Sequence, residues 1–200
     1  MTRMLIVAAA FALLATSPGH GQRFSNPTMG ISIEKPQDWQ ILTAAANAQN
    51  LKKSEIGTPE FQAAVQKYAT APLYAFTKYP EPLADLNPSV KINTRPAGGM
   101  AGRSGEEVLQ SILPGLTGVM ADFKLITAPE KAMIDGQPAG HMAVTYTLKT
   151  DGQAYPVKSE MWVVPRGDHL VIVGAGYRQD EANGSREELM GIVNSITLSE

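Results

Sequence analysis

Cysteine is absent from the 200 residues. No disulfide can brace the fold, and no thiol follows the opening apolar run to carry a lipid anchor. Charge is sparse as well: 17 Lys and Arg stand against 19 Asp and Glu, scattered along the chain, giving a formal net charge of −2. That balance lacks the basic footprint of a nucleic-acid partner or of an anionic membrane surface. Only one long apolar run occurs, residues 5–15 (LIVAAAFALLA), and it is too short to span a bilayer. A mature chain with no stable membrane anchor is therefore expected.

What is present begins with that run. Arg3 precedes it, and the small-residue stretch TSPGHGQ follows. Together these make the charged, apolar and small-residue regions of a secretory leader, with Gly19 and Gly21 placing cleavage before Gln22. The expected organisation is a leader over 1–21 and one domain over 22–200, in the periplasm or outside the cell. A chain 44% apolar at this size can stabilise such a domain through its core alone.

The mature chain alternates. In TMGISIEKP, Ile31 and Ile33 share one face and Ser32 and Glu34 the other, which predicts a half-buried strand ended by Pro36 and anchored by Trp39. Residues 44–55 are open between helix and loop. Thr58-Pro59-Glu60 predicts a helix start, with Phe61, Ala64, Val65 and Tyr68 on its buried face. Two strands, 73–80 and 89–96, flank the Pro-rich loop PEPLADLNP. Ser104 to Glu107 spells a capping box before Val108, Ile112 and Leu116, in a helix that Pro114 is expected to kink or end. A meander follows, with Met142, Val144, Tyr146 and Leu148 facing inward, Asp151-Gly152 as a tight turn and HLVIVGAGY as a central strand. A second capping box, Ser185 to Glu188, opens a last helix that buries Leu189, Ile192, Val193 and Ile196. Hairpins with helices grouped between and after them define an α+β domain on a mainly antiparallel sheet.

The run FSNPTMGISIEKPQDW resembles the entry of the PsbP-like fold, through Phe24, Asn26, Gly30, Ile31, Ile33, Pro36 and Trp39. The closing IVNSITL resembles the end of that group's final helix. The group comprises the PsbP subunit of photosystem II, a Ran-binding import factor, and bacterial envelope proteins of the DcrB and LpqN kind. The resemblance implies a three-layer α-β-α sandwich and a role in binding rather than catalysis. It carries no functional residue across.

Apparent chemical motifs dissolve on inspection. Ser32-Ile33-Glu34-Lys35 has the S-x-x-K spacing of penicillin-binding proteins, but in a strand its two ends face opposite ways. Gly102 to Glu106 lacks the last glycine of a nucleophile elbow, and Ser104 is better placed as a helix cap. Arg166-Gly167-Asp168 reads as a hairpin turn. His141 and His169 read as surface residues separated by one strand, about 9.6 Å apart at two strand spacings, without a third metal ligand. No catalytic set, cofactor or metal is expected. The candidate binding element is the glycine-rich loop before the third helix, with Arg95, Gly98, Gly99, Arg103 and Ser104 bordering a cleft.

Three functions follow as expectations. The first is a non-enzymatic exported domain docking on an unknown protein or envelope component. The second is a small-molecule carrier whose apolar pocket, between helices and sheet, is lined by Trp162, Tyr146 and Phe61. The third is a hydrolase built around His141 or His169.

Overall fold

The computed structural model describes residues 21–55, 57–68 and 71–199. The expected leader lies outside them apart from Gly21, as do the side chains of Ala64, Val65 and Tyr68.

The chain enters as β1 (Gln22–Asn26) and returns antiparallel as β2 (Ile31–Lys35). Gly30 makes the turn at φ +60°, with the Ser199 carbonyl oxygen 2.3 Å from where a Cβ would stand. Only glycine meets both demands. Ile31 and Ile33 are buried as the alternation predicts, but Ser32 and Lys35 are buried too. The reason is a third strand: β11 (Thr197–Leu198) pairs with β2, and Ser32 shares a 2.6 Å hydrogen bond with Thr197. Lys35 donates to the carbonyls of Pro36 and Trp39 at 2.8 and 2.6 Å, so it is engaged far from any partnership with Ser32.

Beyond Trp39, which is 2% exposed, comes β3 (Gln40–Ile41) and then α1 (Ala44–Lys53). The Thr43 hydroxyl accepts the Ala46 N–H at 3.2 Å and so resolves the ambiguous segment as helix. A short β4 (Ser54–Glu55) and α2 (Pro59–Tyr68) follow, the latter opened by Thr58 as predicted. β5 (Tyr74–Thr77) and β6 (Ser89–Pro96) bracket the Pro-rich loop. Next are α3 (Gly105–Val119), β7 (Lys124–Ile134), β8 (Gln137–Thr150), β9 (Gln153–Arg166), β10 (His169–Arg178) and α4 (Arg186–Val193).

Among the described residues the large sheet runs β3-β5-β6-β10-β9-β8, with β7 and β4 both pairing to β8 and every pairing antiparallel. HLVIVGAGY is central, between β6 and β9. Asp151 and Gly152 turn at φ 48° and 77°, the left-handed pair that a two-residue hairpin needs. Three layers result. One sheet face, carrying Val171, Val173, Ala175 and Tyr177, packs under Leu189, Ile192, Val193 and Ile196 and under the small β1-β2-β11 sheet. The other, carrying Met142, Val163 and Leu170, packs under Val108 and Leu109 of α3. Fully burying each such side chain stabilises the fold by about 1.5–3 kcal/mol. The outer layer over the first face is thus part helix and part sheet.

Pro114 neither ends nor interrupts α3, which continues to Val119. Pro114 and Gln110, whose carbonyl loses its helical partner, both face solvent. On that exposed face the carbonyl does not need a protein donor, and the buried face holds the helix together.

Candidate functional site

Strand alternation places the site. On β6, Val90 and Ile92 point into the α4 side, so Ser89 and Lys91 point to the opposite face. Directly across on β10 stand Gly176 and Gly174, paired with Ser89 and Lys91. A Cβ at Gly174 would meet nothing within 4 Å, and one at Gly176 only the Ser89 hydroxyl at 3.9 Å. Neither glycine is demanded by crowding. Their bareness opens the sheet surface, and a cavity of about 360 Å³ lies there.

Its walls come from α1, the 80–88 loop and the ends of β8 and β9. Leu42, Leu51, Leu86, Tyr146 and Leu148 supply apolar surface; Asn47, Asn50, Ser89 and Lys91 supply polar groups. The loop is held by its own asparagine. Asn87 accepts the Tyr79 N–H at 3.0 Å, and its amide donates to the Tyr79 carbonyl and to Glu81 at 2.8 and 3.0 Å. Arg178 reaches Asp85 at 3.1 Å, and Asn183 donates to the Leu86 carbonyl at 2.6 Å. These contacts build a fixed rim.

Lys91 is the charged group on the cavity floor. Its ammonium donates to Oδ1 of the buried Asn47 at 2.8 Å and forms no ion pair among the described residues. Burial lowers its pKa, partly offset by the charge of Glu81. Burial likewise pushes the Tyr146 phenol up to about 12. Of the other charged side chains on the rim, Lys53 pairs with Asp151 at 3.3 Å and Asp85 pairs with Arg178, while Glu81 accepts from the Asn87 amide and the Leu83 N–H and makes no ion pair among the described residues.

A second polar cluster lies on the opposite face. Glu160, 1% exposed, accepts from Tyr177 at 3.0 Å, from Nε and Nη2 of Arg186 at 2.5 and 2.9 Å, and meets His141 Nε2 at 3.1 Å. His141 Nδ1 meets Glu130 at 3.1 Å, and its ring stacks on Trp162 with centroids 4.7 Å apart. His141 is therefore not the surface residue expected; both its nitrogens and its face are engaged. Burial alone would raise the Glu160 pKa, but the bonds from His141 and Arg186 hold it down at about 2. Burial alone would lower His141, but bonding to Glu160 and Glu130 outweighs it and raises the pKa. Neither His141 nitrogen is left for a serine hydroxyl, so the cluster is a clamp between β7, β8, β9 and α4. Among the described residues no three His, Asp or Glu side chains group as metal ligands.

The residues of the glycine-rich loop fall elsewhere. Arg95 is exposed near the end of β6, opposite Leu170. Gly98 and Gly99 form a single 3₁₀ turn, and Arg103 is exposed. Ser104 completes the predicted capping box: its hydroxyl accepts the Glu107 N–H at 3.2 Å, and Glu107 accepts the Ser104 N–H at 2.7 Å. These residues do not line the cavity among its described lining. Of the expected carrier lining, only Tyr146 does; Trp162 lies in the core of the opposite face, and Phe61 is not among the described lining residues. Lys91, Asn47 and Glu160 carried a faint signal. For Glu160 the neighbours two and four along, Trp162 and Val164, point inward, whereas Lys91 lies on a polar strand face; which face gets covered is decided by other elements.

No family model matches the sequence, and no curated protein does. Solved structures do. The chain is similar to LpqN of Mycobacterium tuberculosis, described as involved in cell envelope biogenesis, with a TM-score of 0.51 at 16% identity over 93% of this chain and 88% of that one. The architecture is thus the PsbP-like fold that the entry and exit motifs suggest. Cyanobacterial PsbP (CyanoP) from Synechocystis sp. PCC 6803 aligns at 0.47 and 14% identity over 94% of this chain and 98% of that one. A protein of Bacteroides thetaiotaomicron VPI-5482 aligns at 0.49 and 12% identity over 90% of this chain. The chain spans 49% of that protein's length.

Proposed function

We propose that the chain is an exported, non-enzymatic domain of PsbP-like fold that binds a small molecule in the cavity between α1, the 80–88 loop and the large sheet. The observation that carries this reading is the 360 Å³ space over Gly176, lined by Leu42, Leu51, Leu86, Tyr146 and Leu148 together with many polar and charged side chains. Small-molecule sites occupy about 300–1,000 Å³. The position between sheet and helix layer is the one expected of a carrier. Engagement of both His141 nitrogens by carboxylates supports the non-enzymatic part. For export, the leader pattern is the support; among the described residues no helix is long and apolar enough to cross a membrane.

The test is a cavity-filling variant. Gly176→Leu puts a side chain into open space, so the protein is expected to fold and melt at or above the native temperature. The uncharged probe N-phenyl-1-naphthylamine is expected to fluoresce with the native protein and to lose that signal with Gly176→Leu. Equal fluorescence from both proteins would remove the cavity from consideration.

A second reading, docking on a protein or envelope component, draws on β7. Leu125, Ile126 and Met133 on that outer strand are 41%, 52% and 60% exposed. Cross-linking from a photoreactive residue at Ile126 in an envelope preparation tests it.

A further inference from the structure

The charge state of His141 decides a contact. Its Nδ1 faces a carboxylate oxygen of Glu130 on β7 and its Nε2 one of Glu160 on β9, both at 3.1 Å. Only the imidazolium carries an N–H on each nitrogen, so only the charged ring donates to both. The neutral ring has one proton, and its lone pair must face a carboxylate oxygen. Stacking on Trp162, with the His141 side chain 12% exposed, keeps the ring from turning away. The two carboxylates are not equal: Glu160 is 1% exposed, whereas the Glu130 side chain is 57% exposed. Depriving a buried carboxylate of a donor is costly, while an exposed one exchanges its donor for water. The proton of the neutral ring therefore stays on Nε2, and the contact with Glu130 is given up. The other charged and titratable groups act through Glu160. Tyr177 of β10 and Arg186 of α4 bond it and hold it ionised, Lys158 of β9 lies 5.8 Å over the Tyr177 ring, and Glu181 acts by charge on Arg186 and Tyr177.

We propose that His141 is a pH-operated latch on β7: the imidazolium ties Glu130 to the sheet, and the neutral ring releases Glu130 while keeping Glu160. The tie sits at the weak point of that strand. Between Leu125 and Glu130 the register with β8 shifts twice, and Pro129 has no N–H to give. Regular pairing resumes at the latch itself, with Glu130 opposite His141 and Lys131 opposite Gly140. Among the described residues β7 pairs with β8 alone, so no second strand holds it once the contact goes. The exposed Leu125 and Ile126 belong to the same irregular stretch, and the latch thus governs the order of an apolar surface segment. Burial works against the charged ring, but the bonds to Glu160 and Glu130 outweigh it and raise the His141 pKa, so the latched state extends to higher pH than a free histidine would allow. The cavity has no part in this, and the latch stands or falls apart from the small-molecule reading.

The experiment is amide hydrogen exchange of the whole protein, read by mass spectrometry as protection relative to the intrinsic rate at each pH. Between about pH 5 and about pH 9, protection over residues 125–131 of β7 is expected to fall by about three- to ten-fold. The fall over α4 should be smaller, because Arg186 keeps its bonds to Glu160. Glu130→Gln separates the latch from a general loss of stability. A carboxamide both donates and accepts, so it can meet Nδ1 in either protonation state. That variant, changed at an exposed side chain, is expected to fold and to show nearly equal β7 protection at the two pH values. Equal protection of β7 at both pH values in the native protein, a fall over α4 as large as that over β7, or a fall undiminished in Glu130→Gln overturns the latch.

Discussion

Glu160 is a carboxylate on the core face of β9, alternating with Trp162 and Val164. Such a group persists because four donors surround it, and their arrangement makes it a clamp rather than a defect. Replacing it with glutamine leaves the shape but removes the charge that Arg186 and Tyr177 answer. Glu160→Gln is expected to lower unfolding free energy by about 1.5–3 kcal/mol, measured in urea. His141 gives the pH dependence. Its folded pKa lies above the ordinary 6.5, so its contribution is complete below that value and is lost as pH rises through the raised one. Glu160 works the other way, contributing above its ordinary 4.5 and losing that contribution as pH falls toward about 2. The stability gap between native protein and His141→Gln should therefore be wider near about pH 5 than near about pH 9. A gap that is flat, or wider at alkaline pH, would show that the carboxylate contacts do not form in solution.

At the scale of elements, α3 meets the sheet backbone to backbone. A Cβ on Gly105 would stand 2.1 Å from the Val163 carbonyl oxygen and 2.2 Å from the Gly140 nitrogen, and one on Gly140 would stand 2.2 Å from the Gly105 carbonyl carbon. Gly105 ends the glycine-rich loop before α3, and its lack of a Cβ is what permits this closeness. Gly140→Ala must push the helix start off β8, and no side chain in the contact can yield. A loss of about 2 kcal/mol or more is expected. Alanine tolerated within about 0.5 kcal/mol would mean that the helix does not dock there. Gly176→Ala, facing open space, is the control.

For the whole molecule, the order of layers decides where a ligand can enter. The small β1-β2-β11 sheet and α4 seal one face of the large sheet, while α3 covers only part of the other. The uncovered remainder, roofed by α1 and the 80–88 loop, is the cavity. The leader reading makes a prediction at the same scale: protein recovered from a host that exports it should begin at Gln22, the first residue of β1, and mass spectrometry of the intact chain checks this. Recovery of an uncleaved chain from the cytoplasm would count against export.

Periodicity determined much of this protein unaided. Oily residues at every second position marked β2 and β8, the nearly continuous apolar run HLVIVGAGY marked β10, two Ser-x-x-Glu boxes marked the starts of α3 and α4, and Asp151-Gly152 marked a hairpin. All of these depend on local geometry that a few neighbouring residues impose. Tertiary structure alone decided that Lys91 sits in a cavity and that His141 is clamped. It also decided that Gly105 and Gly140 touch and that a two-residue strand at the end of the chain pairs with one near the start. Those facts join residues dozens of positions apart. A side chain's own periodicity reveals the face it occupies, never what the rest of the chain lays over that face.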